Sequence, residues 1–156
     1  MTVATENELS VTRYIAAPPS RVWDMLANRQ EDWWCPAPWR VELLMQEKRA
    51  GGRCNMLMHG PEGQEMPSEG IYLAWDDGRR IVSTDALTGD FEPVAPFMVG
   101  MWEIEPEGDG TRYTARARHW TADACEQHLA MGFEPGWNAV ADQFKALCEA
   151  APREGT

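Results

Sequence analysis

The chain has 156 residues, enough for one domain, and its 14 basic against 25 acidic side chains leave a formal net charge of −11. Hydrophobic residues make up 44% of it, including 8 Trp and 9 Met, which supplies a core and excludes wholesale disorder. The acid excess excludes a surface built to neutralise phosphates, so no nucleic-acid partner is expected. The longest apolar runs, such as Phe97-Met98-Val99 and Leu43-Leu44-Met45, fall far short of the roughly 20 residues a membrane span needs.

Residues 1–7 lack the positive charge and apolar run of a secretory signal and read as a frayed arm of a cytoplasmic protein. From Glu8 to Ala16, Leu9, Val11, Arg13 and Ile15 alternate with polar or mixed residues, which predicts a first strand closed by Ala17-Pro18-Pro19-Ser20. Val22, Met25 and Leu26 then recur at helical spacing with Trp23 beside them, and proline suits a first turn, so a short helix is expected to end near Asn28. Asp32-Trp33-Trp34-Cys35-Pro36-Ala37-Pro38-Trp39 is a proline-stiffened aromatic loop. Its rings could plug one end of the core, which suits Trp33 or Trp34, or gate a cavity, which suits Trp39.

From Val41 to Trp120 short extended segments are separated by turn signals: Ala50-Gly51-Gly52, Gly60-Pro61-Glu62-Gly63, Asp76-Asp77-Gly78 and Glu107-Gly108-Asp109-Gly110. This predicts an antiparallel meander, interrupted from Thr88 to Pro96 by a loop or bent edge carrying Pro93 and Pro96. Thr121 offers a hydroxyl cap to a second short helix through Cys125, His128 and Leu129 that ends at Gly132. A long helix is expected from Glu134 to about Ala150, stopped by Pro152. Its stripe of Trp137, Val140, Ala141, Phe144, Leu147 and Cys148 must lie against the sheet. Residues 151–156 read as a tail, and no linker or repeat divides the chain, so residues 1–156 are expected to form one domain.

A helix facing a curved sheet leaves a hollow where the inward strand residues are small or flexible. The last strand alternates Tyr113, Ala115, Ala117 and His119 with Arg112, Thr114, Arg116 and Arg118, so the first set faces in and the arginines form a solvated sheet face in preference to an anion site. Its two central alanines leave the helix either packed very closely or held off by a hollow. The matching inward sets are Cys54, Met56 and Met58, then Gly70, Tyr72 and Ala74. Met adapts to irregular ligands, but it also fills ordinary core gaps.

These motifs resemble the START-like or SRPBCC superfamily, and within it homologues of the heat-shock-protein-90 ATPase activator C-terminal domain. The resemblance rests on Ala16-Ala17-Pro18 with Val22-Trp23, Trp33-Trp34, Gly51-Gly52-Arg53, Gly60-Pro61-Glu62-Gly63, Glu69-Gly70-Ile71-Tyr72, Gly110-Thr111-Arg112 and 131–137, in order over nearly the whole chain. It implies an α+β helix-grip fold: a curved antiparallel sheet around a long C-terminal helix, with two short helices. It also implies a central cavity for a small apolar or aromatic ligand. By position, the expected cavity residues are Trp34, Met56, Met58, Tyr72, Trp102, His119, Phe133 and Trp137. The alternatives are a module that stimulates a heat-shock chaperone's ATPase, though nothing before Glu8 matches the extra domain of the eukaryotic activators, or a cyclase or dehydratase using the same cavity.

The chemistry-bearing residues are sparse. His119 falls on an inward set and could orient a ligand or move a proton, or it could be a satisfied structural residue. His59 should point outward and His128 lies on the second short helix, so no triad is expected. Glu69 could pair with Arg53 or Arg80 across strands, while Asp85 and Asp90 are placed to cap turns. Cys35, Cys54, Cys125 and Cys148 show no metal-ligand spacing and read as buried reduced thiols. With no phosphate loop either, no cofactor or catalytic residue is expected. The chain itself could be a monomer or a homodimer.

Overall fold

The computed structural model describes residues 2–94 and 98–150. Among these, alternation and turn chemistry produce β1 (Thr2–Ala4), β2 (Glu8–Ile15), β3 (Arg40–Gln46), β4 (Arg53–His59), β5 (Glu65–Asp76), β6 (Arg80–Thr84), β7 (Val99–Glu107) and β8 (Gly110–Arg118). They form one antiparallel sheet in the order β1-β2-β8-β7-β6-β5-β4-β3. The four turns marked in the sequence close the hairpins β3–β4, β4–β5, β5–β6 and β7–β8, so a simple meander runs from one sheet edge to β8. Strand β2 then lies antiparallel beside β8, with Leu9 opposite Ala117 and Val11 opposite Ala115.

Helix α1 (Pro19–Asn28) begins with proline in its first turn, and α2 (Ala122–Ala130) is capped by Thr121 Oγ1, which accepts from the Ala124 amide at 3.1 Å. Helix α3 (Phe133–Glu149) starts one residue before the expected Glu134, because Gly132, at φ +100°, turns the chain sharply out of α2. Its stripe meets the sheet as expected. Ala141, Phe144 and Cys148 are fully buried, and Phe144 stacks on Tyr113 at 4.7 Å and against the edge of Trp33 at 5.0 Å. This is the helix-grip fold, with Val22 and Leu26 of α1 joining the same core. The expected stop at Pro152, the tail 151–156 and Pro96 lie outside the described residues.

On the outer face the β8 arginines are charge-paired and solvated. Arg116 binds Glu103 at 2.8 Å and Glu8 at 3.3 Å, Arg118 binds Glu8 at 2.6 Å, and Arg112 binds Glu105 and Glu107. His59 points outward too, toward Glu42 at 3.0 Å.

Several expectations are corrected. The N-terminal arm is not frayed over its length: Thr2–Ala4 pair with Leu9–Val11, and Thr2 Oγ1 accepts from Asn138 of α3 at 2.8 Å, because the free edge of β2 offers backbone partners. Ala74 does not continue the inward set of β5. A bulge between Tyr72 and Ala74 shifts the alternation, so Trp75 faces in opposite buried Ile81 and meets Tyr72 edge-on at 5.0 Å. Glu69 makes no direct ion pair with Arg53 or Arg80, whose direct partners are Asp90 at 2.6 Å and Asp76 at 2.5 Å, though its charge acts on Arg53 from the same outer face. Asp90 is thus an ion-pair partner and not a turn cap. The Thr88 region is irregular as expected, with an isolated bridge from Leu87 to Pro93.

Thr111, fully buried on β8, donates its hydroxyl to the Ala17 carbonyl at 2.8 Å and ties the sheet to the approach of α1. Thr111→Val keeps the shape but leaves that carbonyl unpaired. It should lower unfolding free energy by about 1–3 kcal/mol, read as a lower urea midpoint at unchanged slope.

Candidate functional site

The inward surface of the sheet is filled unevenly. At the β2–β8 side Ala115 and Ala117 are fully covered, so there the helix packs closely. Further along, toward β4, a hollow of about 320 Å³ opens between sheet and helix. Met56, Met58 and Cys54 of β4, Ser83 of β6, and Gly100 and Trp102 of β7 wall it from the sheet, and Trp137 and Val140 of α3 lie opposite. Trp33 and Trp34 close it from the aromatic loop, Met98 from the approach to β7.

That loop is held by α3 and α1. Gln143 accepts from the Ala37 amide at 2.7 Å and donates to the Cys35 carbonyl at 2.8 Å, while the Trp33 indole donates to the Met25 carbonyl at 2.9 Å. Trp33 is therefore a core plug that also touches the hollow. Trp39 is no gate: it packs against Gly60 and is absent from the described wall, because the loop has already turned away toward β3.

Indoles dominate the wall. Trp34 and Trp102 meet at 4.8 Å, and Trp102 and Trp137 lie 6.1 Å apart with nearly parallel planes. Gly100 makes this possible. A Cβ there would come within 2.6 Å of the Trp102 ring, so the indole lies back along its own strand only because position 100 has no side chain.

Trp34, Met56, Met58, Trp102 and Trp137 are the expected cavity residues that reach this wall. Tyr72, His119 and Phe133 point inward but are covered by neighbours. The Tyr72 hydroxyl accepts from Gln46 at 3.0 Å and meets the Cys54 thiol, and burial raises the pKa of both groups. Phe133 stacks on Trp137 at 4.8 Å and supports that ring from behind the wall.

His119 belongs to a buried pair that its sequence spacing conceals. Its Nδ1 lies 3.0 Å from the Asn7 carbonyl, an acceptor, so Nδ1–H donates there. In the neutral ring Nε2 then accepts from His128 Nδ1–H across 2.8 Å. His128 sits edge-on to Phe133 and Trp137, and burial, then the neighbouring imidazole, lowers its pKa to about 4. The arrangement clamps the residue before β2 and backs the Trp137 stack. Neither imidazole lines the hollow.

The remaining wall could be foreseen only in part. Tyr113 belongs to the inward set already recognised, and Val140 to the helix stripe. Ser83, Met98 and Gly100 carry no local signal, since their place depends on β6 and β7 pairing across an irregular connection. Asp85 spans that connection, accepting from the Met98 amide at 3.2 Å, and does so across strands and not as a turn cap. All four cysteines are free and buried, and desolvation raises Cys35 to about 11 and Cys148 to about 12. Among the described residues no group of His, Cys, Asp and Glu could hold a metal, and no helix is long and apolar enough to cross a membrane.

The sequence model of the family described as Activator of Hsp90 ATPase homolog 1-like protein matches residues 16–149. The chain belongs to that family. A solved protein of Nitrosomonas europaea is 33% identical over 93% of this chain and 96% of its own, with a TM-score of 0.86. One from Mycobacterium smegmatis is 26% identical over 98% of both chains, with a TM-score of 0.79. A Silicibacter pomeroyi protein called AHSA1 shares the fold at 21% identity, covering 90% of this chain and 96% of its own, with a TM-score of 0.69. No curated protein matches the chain in sequence.

Two outcomes follow for this AHSA1-like domain. Unfolding lets His128 regain its ordinary pKa of 6.5, so the unfolded chain binds more protons below that value; the contribution is whole above pH 6.5 and is lost as pH falls toward 4. Urea midpoints of the wild type should therefore drop more steeply across this window than those of His128→Gln, whose amide can still donate to His119. Gly100→Ala should push the Trp102 ring toward the hollow, costing about 1–3 kcal/mol and shifting the tryptophan emission.

Proposed function

We propose that this protein binds a small, largely apolar aromatic molecule between its sheet and its long helix. One observation carries the reading: a hollow of about 320 Å³ walled by Trp34, Trp102, Trp137, Met56, Met58 and Met98. Burying flat apolar surface against rigid indoles is favourable, and the unbranched methionines can adjust to an irregular outline at little cost. The volume sits at the small end of ligand pockets, which suits a molecule of two or three fused or linked rings. The family's description names activation of the Hsp90 ATPase. That role rests on likeness alone, whereas the hollow is a property of these side chains.

Among the described residues the wall offers no paired acid and base and no activated nucleophile. Burial raises the Cys54 pKa and so disfavours its thiolate, and the His119–His128 pair lies outside the wall. Binding therefore explains the site better than turnover.

N-phenyl-1-naphthylamine, a neutral dye that brightens in apolar surroundings, should bind saturably and quench tryptophan emission. Val140→Trp fills the hollow from the helix side and should weaken dye binding about tenfold or more with the urea midpoint little changed. Equal dye binding by both proteins would place the dye elsewhere and remove the reading.

A further inference from the structure

The charged residues at the hollow's wall among the described residues are Asp85 and Glu69, and no Lys, Arg or His lines it; Glu69, opposite Asn55, lies on the outer set of β5 and is exposed, so Asp85 is the carboxylate left to the hollow. From this asymmetry we propose that the cavity selects flat aromatic molecules bearing a cationic or hydrogen-bond-donating group and rejects their anionic counterparts. The inference rests on the binding reading above and adds the charge class of the ligand.

Three observations support it. Trp33, Trp34, Trp102 and Trp137 all contribute to the wall, and an indole face attracts cations through its quadrupole. A carboxylate, sulfonate or phosphate brought against the same faces would meet electron-rich surface and the Asp85 carboxylate with no compensating cation in the wall among the described residues, so its desolvation would go unrecovered. The chain's net charge of −11 acts in the same direction at long range.

The nearest positive groups are already committed. Arg53 lies on the outer face of β4, on the alternate set to Cys54 and Met56, and binds Asp90 at 2.6 Å. The His119–His128 pair touches Trp137 through His128 but lies outside the wall. The other polar side chains of the wall are neutral. Thr84 donates its hydroxyl to the Met98 carbonyl at 3.1 Å and accepts from the Ala86 amide at 3.1 Å, so its polar capacity is largely taken up. The Ser68 and Ser83 hydroxyls can serve either sign of ligand.

Three probes of nearly one shape separate the effects of charge and shape: 1-naphthylmethylamine as its ammonium ion, neutral 1-naphthylmethanol, and 1-naphthoate. Their affinities are measured by tryptophan quenching and calorimetry at pH 7 and low salt. The amine should bind about tenfold more tightly than the alcohol, with the naphthoate weakest. The amine's advantage should shrink by about fivefold in Asp85→Asn, which keeps an acceptor for the Met98 amide, and should stay nearly whole in Glu69→Gln, a change on the outer face. The alcohol, which donates a hydrogen bond but carries no charge, should lose less than the amine in Asp85→Asn. Naphthoate binding as tightly as the amine would overturn the charge assignment while leaving the binding reading intact. An amine preference that survives Asp85→Asn, or that Glu69→Gln removes as fully, would overturn the role given to the Asp85 carboxylate. Failure of all three probes, with N-phenyl-1-naphthylamine also unbound, would overturn the charge class together with the binding reading.

Discussion

The contact on which the rest depends is the seating of Phe144 between Tyr113 and Trp33. Stacked on one ring and edge-on to the other, this fully buried side chain pins the middle of α3 to the sheet and to the aromatic loop at once. Toward the C-terminus, Cys148 continues the close contact. One to two turns toward the N-terminus, Val140 and Trp137 face open space instead. A helix held down near one end can stand clear of the sheet at the other if its free end is otherwise supported. Phe133, stacked on Trp137 and backed by His128, provides that support.

The polar groups inside this protein serve the scaffold more than the hollow. Gln30, Gln46, Tyr72 and Cys54 form one chain of contacts that reaches the wall at Cys54. Gln143 holds the aromatic loop, Asp85 bridges β6 to β7, and the two imidazoles clamp Asn7. Each satisfies a backbone or side-chain group that burial would otherwise leave costly. The surface left to the hollow is mostly indole, thioether and glycine backbone with a few neutral hydroxyls, and acid is its only charge among the described residues. Shape and charge sign, rather than a reactive constellation, are what such a surface can discriminate.

Two features of the inward strands leave less room than small side chains could have given. The alanines of β8 do not border the hollow: their small size lets α3 approach, and this close packing holds one side of the molecule together. Space appears instead where Gly100 allows Trp102 to fold back and where flexible methionines line β4. The bulge in β5 is the other instance. It brings Trp75 inward after Tyr72, and one inserted residue exchanges a small inward side chain for a large one without leaving any mark in the alternation.

Strict alternation in β2 and β8, the glycine turns and the helical stripe from Trp137 to Cys148 determined the meander, its inward faces and the long gripping helix from sequence alone. These are local periodicities, and backbone geometry translates them directly into faces. Met56, Met58 and Trp137 of the wall were legible for the same reason. Tertiary structure alone decided the pairing of His119 with His128, the capture of residues 2–4 by the edge of β2, the shift at the bulge, and the contributions of Ser83, Met98 and Gly100. Each depends on which strands lie side by side and how closely they pass, a relation between distant segments that no single stretch of chain encodes.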